Sequence, residues 1–151
     1  MVKEENLFQL KIPSQTDNLE IIREFVAKIA SRMGFNEDDI SKIELAVDEA
    51  CTNVIKHAYR KNQKKAIDIS LFLQPQKLTI VVADQGKGFD PRKLKTPEMS
   101  EYLAKMQVGG LGVYLMRTLM DEVEFKSRPG KGNEVRMVKY LTSNEKNKQA
   151  K

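Results

Sequence analysis

The chain has no tryptophan, one cysteine, one histidine and only five prolines among its 151 residues. Cys51 has no partner with which to close an internal disulfide, and Cys51 with His57 is too small a set of soft ligands for a typical zinc site. Long apolar runs are missing too. No segment approaches the ~20 consecutive apolar residues that a membrane-spanning helix requires. The opening MVKEENLFQL carries two Glu and no apolar stretch of signal-peptide length, so export is not expected and the cytoplasm is the natural compartment. What is present, 40% hydrophobic and 31% charged residues, is the composition of a soluble globular protein and not of a disordered or fibrous one. A chain of this length buries roughly 70% of the surface it exposes unfolded, enough for one self-sufficient core. A single domain over 1–141 is expected, followed by a basic, disordered tail over 142–151.

The formal charge of +5 raises the question of nucleic acid. The tail holds Lys146, Lys148 and Lys151 against Glu145, a net +2 that leaves about +3 for the rest. A nucleic-acid footprint is a dense basic face interleaved with aromatics, and none is visible, so neither nucleic acid nor a membrane surface is an expected partner.

Periodicity orders the chain. Leu7 to Ile12 alternates apolar and polar before Pro13, as a strand does. From Asp17, read as a helix cap, Leu19, Ile22, Phe25, Val26, Ile29 and Met33 recur at helical spacing up to Gly34. Asn36 with Asp39 three residues on resembles a capping box and opens a second helical run through Ile40, Ile43, Val47, Ala50, Val54 and Ala58. Ala66 to Leu73 and Lys77 to Ala83 read as strands of an antiparallel hairpin turning at Gln74-Pro75-Gln76. A glycine-rich turn spans Asp84 to Pro91, and a long polar loop extends to about Val108, a length that suits a binding lid. Val113 to Met120 is expected to be helical, and Glu122 to Ser127 with Glu134 to Leu141 to form a second hairpin around Pro129-Gly130-Lys131-Gly132. The order β-α-α-β-β-loop-α-β-β makes an α+β fold, a two-layer sandwich of helices on a mixed, mostly antiparallel sheet.

Three polar segments interrupt these apolar patterns. Glu49 and Asn53 stand four apart on one helix, so both project from one face. A carboxamide oxygen suits Mg²⁺, which takes few protein ligands and keeps waters and phosphates, and a neighbouring carboxylate can deprotonate a nucleophile. An exposed Glu and Asn on an ordinary helix would look the same in isolation. Asp84-Gln85-Gly86-Lys87-Gly88 begins where a strand ends; an Asp there can accept from an exocyclic amine, and the glycines let a ligand lie against backbone, although a plain turn uses the same residues. Gly109-Gly110-Leu111-Gly112 precedes a helix and offers backbone amides to phosphates, or simply a hinge. No G-x-x-x-x-G-K-[ST] occurs, nor a G-x-G-x-x-G between strand and helix, which disfavours P-loop and Rossmann sites. His57 lies one turn beyond Asn53, where it can border the site, although a lone His is more often structural or surface-exposed. Cys51 reads as a small buried side chain, and Met116 and Met120 as core filling.

Taken in order, the three segments resemble the GHKL ATP-binding family of gyrase, sensor histidine kinases and mismatch-repair proteins. ELAVDEACTNVIKHAY is similar to its N-box, VVADQGKGFDP to its first glycine box and GGLGVYLMRTLMDEVEF to its second, over roughly residues 7–141. The one-domain size and the wording E-A-C-T-N-V-I-K-H-A-Y most resemble bacterial anti-sigma factor serine-protein kinases. This resemblance implies ATP and Mg²⁺ as cofactors, Glu49 as general base, Asn53 as the Mg²⁺ ligand and Asp84 as acceptor for the adenine amino group. Gly86 and Gly88 would pass beside the adenine, and Gly109, Gly110, Leu111 and Gly112 would hold phosphates under the lid. Members of the sporulation type carry an Arg just before the second glycine box. Val108 stands there in this chain, leaving Lys105 or Lys87 as the candidate cation.

The implied activity is transfer of the γ-phosphate of ATP to a Ser of a small anti-anti-sigma (STAS-like) protein, which exchanges with a sigma factor on the kinase. Relatives commonly form a homodimer. A complete sensor histidine kinase would need a separate helical hairpin with a second His. The competing reading is a non-catalytic, nucleotide-gated module that sequesters a regulatory partner, and Val108 is the residue that motivates it, since phosphoryl transfer depends on charge stabilisation.

Overall fold

The computed structural model describes residues 6–58, 65–84, 110–128 and 132–142. Strand β1 (Leu7–Pro13) leads through a 3₁₀ turn (Thr16–Asn18) into helix α1 (Leu19–Met33), followed by helix α2 (Glu37–Asn53). A π turn (Val54–Ala58) continues α2, and strands β2 (Ala66–Gln74) and β3 (Lys77–Asp84) form the first hairpin. Helix α3 (Gly110–Leu119) precedes strands β4 (Glu122–Arg128) and β5 (Gly132–Tyr140). The strands lie in the order β1-β2-β3-β5-β4, and every pairing is antiparallel.

Period-2 alternation sends one face of the sheet to the helices. Ile67, Ile69 and Leu71 of β2, Leu78, Ile80 and Val82 of β3, and Val135 and Met137 of β5 are buried there. They meet Ile22, Val26 and Ile29 of α1, Ile43, Val47 and Ala50 of α2, and Met116 of α3. Cross-strand partners share a face, so Phe72 and Thr79, or Val81 and Arg136, belong to the opposite side. A groove of about 360 Å³ lined by these and by Gln74, Lys77, Lys126 and Glu134 lies on that side, away from the helices.

Helix ends follow the local chemistry. Asn36 has extended backbone and its Oδ1 accepts from Asp39 N at 2.8 Å, the expected half of a capping box. α1 starts one residue later than the sequence pattern suggested: Asp17 sits inside the 3₁₀ turn, and Asn18 occupies the cap position with its side chain donating instead to Pro13 O at 2.8 Å. Gly34, at φ 105°, closes α1 with Gly34 N–H donating to Ser31 O and Phe35 N–H to Ala30 O, a Schellman arrangement that turns Phe35 into the core. The apolar run beyond Asn53 is helical as expected, but it widens from α to π geometry. Insertions of this type recur at functional positions. At its other end α3 is longer than expected, because the glycine segment from Gly110 is itself the first helical turn.

Candidate functional site

α2 is the middle helix, packed between α1 and α3 and lying over β3. Its buried stripe is Ile43, Ala46, Val47, Ala50 and Cys51. With 100° between successive residues, Glu49 and Asn53 fall together on one border of that stripe, beside Ala46. Both are half-buried. Asp48, one residue earlier, falls on the other border and accepts from Arg23 of α1 at 2.9 Å.

The Glu49 border faces α3. A Cβ placed on Gly112 would stand 2.7 Å from Glu49 Oε2, so the carboxylate tip rests against the first turn of α3. That turn has no acidic residue of its own. Its first N–H groups, which have no partner within the helix, and the positive end of the helix dipole favour an anion nearby. The first and third polar segments, 60 or so positions apart in the sequence, are therefore in contact.

Asp84 is the last residue of β3 and is 6% exposed. It shares the helix-covered face with Ile80 and Val82 through the strand's alternation, so it lies on the same side of the sheet as α2. Its cross-strand neighbour Asn133 donates from Nδ2 to Asp84 Oδ1 at 3.4 Å, and Ser127 Oγ donates to Asn133 Oδ1 at 2.7 Å. Neither Asn133 nor Ser127 is singled out by the sequence. Only the β3–β5 and β4–β5 registers bring them to Asp84.

Gly86, Gly88, Lys105 and Gly109 lie outside the described residues, as do Lys87, Val108 and the side chains of His57 and Leu111. Cys51 is fully buried, and burial, with Asp48 adding a smaller effect, pushes its thiol up to about 12. It is a packing residue and no nucleophile.

Lys139 secures the far end of this assembly. Its Nζ donates to Leu119 O, at the C-terminus of α3, at 3.0 Å. The same ammonium is 3.9 Å from Asp39 Oδ1 in the first turn of α2 and 4.0 Å from Asp121 Oδ1. One buried cation thus joins the two helices that carry Glu49 and Gly112, and it complements the negative end of α3.

The donor set fits Mg²⁺. Asn53 and Glu49 offer hard oxygens, and among the described residues no group of three His, Cys, Asp or Glu forms a closed cage. Such a site suits an ion that arrives with phosphates and keeps most of its waters.

Comparison with known proteins gives the family and the fold. A family model described as "Histidine kinase-like ATPase domain" matches residues 12–139. Serine-protein kinase RsbW of Bacillus velezensis is 39% identical over 137 residues, covering 88% of this chain and 84% of that protein. The protein of the same name from Bacillus licheniformis is 37% identical over 145 residues, covering 93% and 89%. Among solved structures, the RsbU and RsbW domains of a Mycobacterium tuberculosis protein superpose with a TM-score of 0.65 at 15% identity, covering 89% of this chain and 32% of that one. The catalytic domain of histidine kinase ThkA superposes with a TM-score of 0.53 at 14% identity, covering 92% and 98%.

Proposed function

The chain belongs to the histidine kinase-like ATPase domain family and, within it, to the serine-protein kinases RsbW, and from that premise we propose that it transfers the γ-phosphate of ATP to a serine of a small anti-anti-sigma protein. The observation that carries this reading is the contact between Glu49 and the first turn of α3, which sets a carboxylate beside the backbone amides suited to phosphates.

In this reading Asp84, oriented by Asn133, accepts from the adenine amino group, and Gly86 and Gly88 leave room for the base. Gly109 to Gly112 cradle the phosphates, with Lys105 as an added cation. Asn53 Oδ1 would hold Mg²⁺, which would supply charge neutralisation to the phosphates. Glu49 takes the proton of the serine hydroxyl as its oxygen bonds to the γ-phosphorus, and the bond to the β–γ bridging oxygen breaks to release ADP. The unphosphorylated partner and a sigma factor compete for the kinase, a homodimer acting in the cytoplasm, so phosphorylation sets which partner is held.

Calorimetry with ATP, ADP and GTP, with and without Mg²⁺, tests the site. Adenine-selective binding that strengthens with Mg²⁺ and loses that dependence in Asn53→Ala is the expected result. Failure of the wild type to bind any nucleotide would remove the kinase reading altogether.

A further inference from the structure

Gly112 has no backbone reason to be glycine. Its φ is not positive; among the described residues only Gly34 and Gly132 have that geometry. It sits inside a helix, where glycine is less stable than alanine by roughly 0.5–1 kcal/mol. Space is the remaining reason. A Cβ at this position would stand 2.7 Å from Glu49 Oε2 and 3.7 Å from Glu49 Cδ, and beyond its own helix backbone and chain neighbours it would meet no other atom of the described residues within 4 Å.

Resting on the kinase reading above, we propose that Gly112 is a positioning residue for the Glu49 carboxylate: the missing methyl is the room in which the general base is seated against α3. A carboxylate tip is the free end of a flexible side chain, so an added methyl would displace the carboxylate and leave the packing of α2 on α3 intact. Stability and catalysis therefore part company at this position. The backbone N–H of residue 112 is retained in Gly112→Ala, so phosphate binding through the main chain is preserved.

The test compares wild type, Gly112→Ala, Glu49→Ala and the double variant in Mg²⁺-ATP hydrolysis, with water as the acceptor. Attack by water needs the same base: its oxygen bonds to the γ-phosphorus, its proton passes to Glu49 and ADP leaves. Gly112→Ala should lower kcat by about 10²-fold or more, approaching the effect of removing the base. Its KM for ATP should stay within about threefold, a difference well under one tenfold step of affinity. Its melting temperature should hold or rise, and adding it to Glu49→Ala should cost nothing further, since the two changes act through one group. Wild-type kcat in Gly112→Ala, or an equal loss in the Glu49→Ala background, would overturn the proposal. The ¹³C carboxyl resonance of Glu49 supplies a readout independent of turnover: it should move in Gly112→Ala, and an unmoved signal also overturns the proposal. If the wild type bound no ATP the kinase reading would fall, and this resonance alone would decide the positioning.

Discussion

Helix α2 has two borders with opposite work, and neighbouring residues divide between them. Asp48 faces α1 and pairs with Arg23 at 2.9 Å; Glu49 faces α3 and abuts Gly112. A 100° step around the helix separates a carboxylate paired with the next helix from one set against a glycine. On the α1 border the two charges pair with each other and tie α2 to α1. On the α3 border the partner surface is glycine backbone, which fills little space and presents donors. The chemistry of a carboxylate here is decided by what the opposite helix offers, and not by its own type.

The largest effect that would sharpen this contrast is expected at Glu49. Glu49→Ala should cut phosphoryl transfer by ~10²–10⁴ while leaving ATP bound, as removal of a general base does. Transfer assayed with labelled ATP checks this, and a variant that loses ATP instead would make Glu49 a binding residue. Next in size is Lys139, the buried ammonium that joins the C-terminus of α3 to the first turn of α2. Lys139→Ala removes the donor to Leu119 O and one of the two cations beside Asp39, which keeps Lys42 at 3.8 Å, and should lower stability by about 1–3 kcal/mol in urea unfolding. A loss under 1 kcal/mol would show that water replaces the ammonium there. The smallest effect belongs to the α1 border. Arg23→Met keeps the apolar stem and removes a half-exposed ion pair, so the cost in the same unfolding measurement should be about 0.2–1 kcal/mol, with transfer unchanged. A large fall in transfer would mean that the two borders are coupled through the rotation of α2.

Much of the fold was legible because its signals are local. Leu19 to Met33 repeats at helical spacing and stops at a glycine that adopts φ 105°; Asn36 caps α2 as its side chain dictates. The strand pairs follow from alternation around short turns. Two boundaries were not legible. Asp17 has the chemistry of a cap, but the chain makes a 3₁₀ turn first and starts α1 after Asn18, whose side chain is taken by Pro13. Gly110 to Gly112 reads as a loop from glycine's low helix propensity, yet packing against α2 draws it into α3, an instance of tertiary contact outweighing propensity.

By itself the sequence singled out the candidate site residues: Glu49 and Asn53 on one face of a helix, Asp84 at a strand end, and the glycines that open α3. It also determined the layers in which they sit, since periodicity is a property of neighbours along the chain. The tertiary structure alone decided which of these groups meet. Asn133 reaches Asp84 only through the register of β5 on β3, and Glu49 reaches Gly112 only because α3 packs beside α2. Contacts between distant segments depend on how apolar faces stack, and no local pattern encodes the space that one absent methyl leaves for a carboxylate on another helix.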